Sequence, residues 1–236
     1  MRLSAPIYKL KRQAKLLARA EKIPLHTALD RVAASEGFES WSLLASNTSF
    51  RSPADRILAA IRPGEIVLLG ARPGQGKTLL GLELVARAQA VGRAGYFFTL
   101  DYTSVDVVRH FEDLGFKVSD GRHAMIDTSD AVCSDHIIRR VGPTDGSEII
   151  VVDYLQILDQ KRTNPSLQDQ VEDLKLYAKA KGAIVVAISQ IDRMFDASGK
   201  ALPGLSDVRL PNPLDLSLFD KSCFLHGGEI NLHAVP

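Results

Sequence analysis

The chain has 236 residues, 45% of them hydrophobic and 24% charged, the balance of a globular protein with enough apolar surface to bury a core. A formal net charge of +1 excludes a polycation that binds nucleic acid through bulk charge alone. The charge is nevertheless uneven: residues 1–50 hold eight Lys/Arg against four Asp/Glu, and Arg2, Lys9, Lys11, Arg12, Lys15 and Arg19 all precede the first acid, Glu21.

Ile7, Leu10, Ala14 and Leu17 recur at helical spacing and predict a helix over 6–21. Pro24 begins a second helix, with Leu25, Leu29 and Val32 on one face and Gly37 at its end. Phe38, Trp41 and Leu44 belong to a short third. Residues 1–46 therefore read as a three-helix module, 47–53 (NTSFRSP) as a linker, and 54–236 as the main domain. That domain opens with a short helix over 54–61 and the turn Arg62-Pro63-Gly64. β-type runs at 65–70, 95–100, 123–127, 148–153, 183–188, 219–225 and 229–234 then alternate with helical ones at 77–91, 104–114, 130–141 and 166–181. Such alternation predicts an α/β fold, a parallel sheet covered by helices. His226-Gly227-Gly228 joins the last two strands as an antiparallel hairpin, and residues 195–213, rich in Pro, Gly, Asp and Ser, read as a long loop.

Cys133 and Cys223 lie far apart without a partner motif, which favours two free buried thiols in a reducing cytosol. Charges interrupt the first twenty residues before an apolar signal core can form. No run approaches the ~18–20 apolar residues of a membrane span, so the expectation is a cytoplasmic protein.

Residues 70–78, GARPGQGKT, lie between an apolar strand and a helix rich in Leu. They depart from the phosphate-loop pattern G-x-x-x-x-G-K-[ST] at one position, Ala71. In such a loop, backbone N–H groups wrap the phosphates and the helix N-terminus faces the anion. Arg72, Pro73, Gly74, Gln75, Gly76, Lys77, Thr78 and Leu79 are the candidate nucleotide-binding residues, with Lys77 on the terminal phosphates and Thr78 on Mg²⁺. Ala71 is tolerable at the loop entrance if its φ is negative, and Gly70 could supply flexibility beside it. Four apolar residues, 149–152, end at Asp153, a strand tip that suits a Mg²⁺ acid of the Walker B kind. Asp101 and Gln190 follow two other strand runs and would join the same rim, where ligands bind in open α/β sheets. Asp101 could orient or deprotonate water and Gln190 could sense the γ-phosphate. Asp101 equally suits a cap for the helix near Ser104, and Gln190 a loop amide.

In order along the chain, GARPGQGKT, FFTLDY at 97–102, IIVVDYLQIL at 149–158, QDQVEDLKLYAKAKGA at 168–183, VVAISQIDR at 185–193 and LSDVR at 205–209 resemble the C-terminal motor domain of DnaB-type replicative helicases. The resemblance covers about residues 60–225, and DYLQ and SQIDR are its most specific parts. It implies a RecA-like fold, hydrolysis of Mg²⁺·ATP, action on single-stranded DNA, and a ring or filament of identical subunits. Lys77 and Thr78 would bind phosphate and Mg²⁺, Asp153 would be the Walker B acid, and Gln190 would couple the γ-phosphate to DNA-facing loops. Lys161, Arg162 and Lys200 lie in loops that such proteins often turn toward DNA, while Arg193 suits phosphate, a neighbouring subunit or Asp192. The family's phosphate loop commonly carries Ala at the position of Ala71.

Three departures bear on activity. Asp101 stands where the family usually has a catalytic Glu. No Arg or Lys follows Lys221 to supply the family's arginine finger. The three-helix unit takes the place of the large domain that latches the family's ring, so processive unwinding is not expected. That unit, with ALDRVAASEGFESWSLLA at 28–45, resembles a small helical module found on various bacterial proteins. Its basic helix could meet phosphates or an acidic protein partner, or simply face water. The alternative to a motor is a regulatory ATP-binding module with little hydrolysis; a small-molecule kinase is disfavoured by the lack of an Arg-rich lid.

Overall fold

The structure, a computed structural model, describes residues 3–5, 7–48, 52–88, 92–114, 124–143, 146, 148–210 and 212–235. The predicted ends at 89–91 and 123, and Arg2 of the basic stretch, lie outside the described residues. The chain divides into two compact units, Met1–Ser52 and Pro53–Pro236.

The first unit holds α1 (Ile7–Glu21), α2 (Leu25–Ser35) and α3 (Trp41–Thr48). Leu10, Ala14, Ala28, Val32, Ala33 and Leu44 form its core, with Phe38 and Trp41 packed against it. The apolar periodicity of the sequence supplies Leu10, Ala14, Val32 and Leu44, whereas Ala28 and Ala33 complete the core and Leu25 is exposed. Gly37, at φ +84°, carries the turn out of α2. The Trp41 N–H then donates to the Asp30 carboxylate at 2.8 Å and fixes the start of α3.

The second unit runs α4 (Pro53–Ala60), β1 (Ile66–Ala71), α5 (Lys77–Ala88), β2 (Ala94–Thr99), α6 (Ser104–Asp113), β3 (Ala124–Asp127), α7 (Ser134–Val141), β4 (Glu148–Asp153), α8 (Leu167–Lys181), β5 (Ile184–Gln190), β6 (Lys221–His226) and β7 (Glu229–Ala234). The strand order is β3-β2-β4-β5-β1-β6-β7. All neighbours are parallel except β6 and β7, which form the expected antiparallel hairpin. The predicted α/β class with a mainly parallel sheet holds.

β1 and β4 are buried along their whole length, which is why they read as continuous apolar runs instead of alternating ones. Successive side chains still go to opposite faces. Val67, Leu69, Ile149 and Val151 pack with Ile57, Leu82 and Phe111 from α4, α5 and α6. Ile66, Leu68, Ile150 and Val152 pack with Ile137, Val171 and Leu174 from α7 and α8. Helices thus cover both faces, and every parallel strand delivers its C-terminal end to one rim.

Several boundaries moved for tertiary reasons. β5 extends two residues past the expected end at 188, because Ser189 and Gln190 pair with Gly70 and Ala71 of β1. α7 starts at Ser134, not 130; its first N–H is met from α8, where the Gln170 side-chain oxygen accepts from the Ser134 N–H at 3.0 Å. The long loop after β5 is folded back on itself: it contains 3₁₀ turns at Arg193–Ala197 and Leu205–Asp207 and a bridge between Ile191 and Val208. Both cysteines are free; Cys223 is buried as expected, whereas Cys133 is only half-buried.

Candidate nucleotide-binding site

The turn from Arg72 to Gly76 joins the C-terminal end of β1 to the first residue of α5, Lys77. Gly74 and Gly76 have φ of +77° and +88°, backbone that only glycine adopts freely. A Cβ on Gly74 would meet nothing within 4 Å, so it is the left-handed backbone, not crowding, that demands glycine there. Ala71 sits inside β1, buried between Gln190 and Leu225, and needs no special dihedral. Gly70 does not serve as a hinge. It too lies in the strand, and a Cβ on it would stand 2.8 Å from the Phe224 ring, so its role is to make room.

Two expected nucleotide contacts have their side chains engaged elsewhere. The Arg72 guanidinium forks onto the Asp196 carboxylate and donates to the Ile191 carbonyl at 3.1 Å. The Gln75 carbonyl oxygen accepts from the Gly227 N–H at 3.0 Å. For Arg72 this leaves the backbone for the cradle, and for Gln75 the backbone and the side-chain amide nitrogen. Pro73 has no N–H and contributes shape alone. Leu79 and Thr78 carry backbone N–H groups of the first helical turn, which have no partner within the helix.

Asp153 ends β4 and is 1% exposed, in register with Thr99 and Ile188. Neither carboxylate oxygen has a hydrogen bond. Burial pushes the carboxyl up to about 6; the Thr78 hydroxyl and the Lys77 ammonium act in the opposite sense, and the charge of Asp101 adds to the rise. Thr78 stands near enough to act on the carboxyl, yet short of full hydrogen-bonding geometry. A buried carboxylate left without donors is costly unless something positive belongs there. A hydroxyl and a carboxylate are the hard oxygen donors that Mg²⁺ takes, so these residues fit that ion. Among the described residues no group of three or more His, Cys, Asp or Glu could cage a metal, so such an ion would complete its shell with water and phosphate oxygens.

Asp101 is exposed, with its N–H on the Thr99 hydroxyl at 3.2 Å. It does not cap α6. Thr103 does, in a reciprocal box with Asp106. Gln190 is the last residue of β5, and its carbonyl accepts from the Arg209 N–H at 2.8 Å. Lys77, Thr78, Asp101 and Asp153 are thus brought together electrostatically, and Gln190 stands one strand away at the same rim.

Three residues escaped the sequence reading. Tyr102 is one; burial first, then the charges of Asp153 and Asp101, raise its phenol, while the nearby Thr78 hydroxyl acts in the opposite sense. The motif FFTLDY contained it, but an aromatic after a strand reads as core. Gln156 is the second, donating to the Arg209 carbonyl at 2.9 Å and toward the Ser189 hydroxyl at 3.4 Å. Arg209, the third, has its backbone held on both sides by Gln190 and Gln156 while its side chain is exposed. A hollow of about 530 Å³ lies beside it, lined in part by Asp192, Met194, Phe195 and Val208. Of the expected loop cations, Lys161 pairs with Asp130 and Lys200 with Asp207. Arg162, Arg193 and Arg209 are exposed and make no ion pair among the described residues.

Comparison with known proteins follows the same lines. A family profile described as the DnaB-like helicase C terminal domain matches residues 116–214. The replicative DNA helicase DnaB of Leifsonia xyli subsp. xyli is 26% identical over 220 residues, covering 77% of this chain and 46% of that protein. The match and the sheet topology agree on a RecA-like fold similar to that of DnaB-like helicases. The DnaB of Mycoplasma genitalium is 24% identical over 208 residues, covering 73% of this chain and 44% of its own length. The chain therefore spans under half the length of these relatives. In fold, the chain is similar to a separately solved ATPase domain, with a TM-score of 0.58 at 19% identity over 78% of this chain and 81% of that one. It is also similar to a DnaB-like replicative helicase solved for its interactions with primase, with a TM-score of 0.57 at 18% identity over 92% and 64% of the two chains. Among the described residues no helix is long and apolar enough to cross a membrane.

Proposed function

We propose that the chain is a DnaB-like motor domain that binds Mg²⁺·ATP in the loop 70–78, hydrolyses it, and acts on single-stranded DNA. The observation that carries this reading is Asp153: a buried carboxylate with no hydrogen bond, beside Thr78 and Lys77 at the foot of a left-handed glycine loop. Bound Mg²⁺ supplies charge neutralisation at the phosphates. Lys77 would hold the terminal phosphates, and Thr78 and Asp153 would hold the cation. Asp101 orients the attacking water and accepts its proton, and Gln190 reads the terminal phosphate. Arg162, Arg193 and Arg209, on loops beyond the same rim, would meet the DNA backbone. Lys77 is the one cation, among the described residues, whose charge acts on Asp153. The assembly proposed is a ring or filament of identical subunits.

Steady-state ATP hydrolysis with and without single-stranded DNA tests this, on the wild type and Lys77→Ala. Turnover that DNA stimulates and the variant loses is expected. Tight ATP binding without turnover in either condition favours the second reading, a regulatory ATP-binding module. The exposed and shorter Asp101 is what speaks for it. The unit Met1–Ser52, with exposed Leu16, Leu25 and Leu43, then offers a surface for a protein partner. A cytoplasmic location fits both readings.

A further inference from the structure

Arg72 belongs to the phosphate loop, yet its side chain grips the segment after β5. Nε lies 3.1 Å from both Asp196 oxygens and Nη2 lies 2.8 Å from one of them. The remaining arm, Nη1, donates to the Ile191 carbonyl at 3.1 Å. The Ile191 N–H in turn donates to the Ala71 carbonyl at 3.1 Å. The residue directly after Gln190 is therefore held through both its backbone groups by two consecutive residues of the loop entrance.

The pair is too exposed to matter as raw attraction, with Arg72 23% and Asp196 56% exposed. Its value is geometric, since a forked guanidinium fixes orientation as well as distance. A second tie runs in parallel: Gln75 binds the Gly227 N–H, and the neighbouring His226 ring meets Phe195 edge-on at 5.2 Å. Phe195 and Asp196 share one 3₁₀ turn, Arg193–Ala197, so both ties converge on it.

We infer that Arg72 is a positioning residue: through Asp196 and Ile191 it sets Gln190 against the phosphate loop and couples occupancy of that loop to residues 190–197. This rests on reading 70–78 as a nucleotide loop. Of these ties, the Arg72–Asp196 pair is the one that can be removed without changing a residue of the cradle.

The test combines binding of a fluorescent ATP analogue with hydrogen exchange in the presence of Mg²⁺ and a non-hydrolysable ATP analogue. It compares the wild type with Asp196→Asn and Asp196→Glu. In the wild type the nucleotide should slow amide exchange over 190–197 by about fivefold or more. Asp196→Asn should bind within about threefold of wild type and lose that protection; Asp196→Glu, which keeps the fork, should retain most of it. Equal protection in wild type and Asp196→Asn overturns the inference, as does a wild type that binds without protecting 190–197. Binding weakened about tenfold or more in Asp196→Asn also overturns it, because the pair would then be shaping the cradle itself. A wild type that binds no nucleotide removes the phosphate-loop reading, and the inference with it.

Discussion

Ala71 and Gln190 are register partners across the β1–β5 ladder, so the strand that enters the loop 72–76 and the tip of β5 form one continuous piece of sheet. A movement of either is felt by the other without an intervening loop. Gln190→Ala should therefore leave ATP affinity within about threefold while abolishing any stimulation of hydrolysis by single-stranded DNA. Affinity from a fluorescent analogue and rates from a phosphate-release assay check this; stimulation that persists in the variant takes Gln190 out of the mechanism.

Asp101 is one methylene shorter than Glu and stands exposed at the rim. If it positions the attacking water, Asp101→Glu should match or exceed the wild-type rate, and Asp101→Asn should lower it by about 100-fold or more. Both are measured at saturating ATP. Equal rates in the two variants would remove Asp101 from catalysis. Because Thr103 and Asp106 cap α6 independently, neither change should alter the melting temperature appreciably.

Asp153 links the site to stability. Burial raises its carboxyl from an ordinary 3.8 to about 6, so the native protein keeps a proton that the unfolded chain has already released in that window. The ligand-free fold should accordingly lose about 3 kcal/mol as pH rises from 4 to beyond 6. Asp153→Asn carries no titrating group and should gain on the wild type over the same range. Urea melts at intervals from pH 4 to 8 measure the difference; a difference that does not vary with pH contradicts the raised value. Added Mg²⁺ and ATP should restore the wild type at pH 8 and leave the variant nearly unchanged.

Gly70→Ala would place a methyl 2.8 Å from the Phe224 ring, which is 2% exposed and has little room to retreat. The expected cost is about 1–3 kcal/mol in chemical denaturation. Combining it with Phe224→Leu should cost less than the two single changes added together. Strict additivity would show that the strand, not the ring, resists the substitution.

The elements themselves were largely legible because their signals are local. The buried runs of β1, β4 and β5 are unbroken apolar stretches dominated by Val, Ile and Leu, and α5 and α8 carry helical periodicity beside them. The positive φ of Gly74 and Gly76 is a backbone demand that a glycine announces in the sequence. What sat two residues from the truth was likewise local but ambiguous: Asp101 and Thr103 are both good caps, and only the Asp106 carboxylate, folding back to the Thr103 N–H at 3.2 Å, decides between them.

By itself, the order of residues determined an α/β sheet with a glycine cradle at the end of one strand and an acid at the end of another. Those features follow from periodicity and from dihedrals that few residues adopt. Only the tertiary structure decided where side chains were spent. Arg72 and Gln75 look like phosphate ligands in the sequence, but Asp196, 124 residues on, and Gly227, 152 residues on, claim them. Asp153 could have been one more turn carboxylate until the packed sheet stripped it of water and left it no hydrogen bond. Burial and long-range pairing are properties of the whole packed sheet, and no window of the chain contains them.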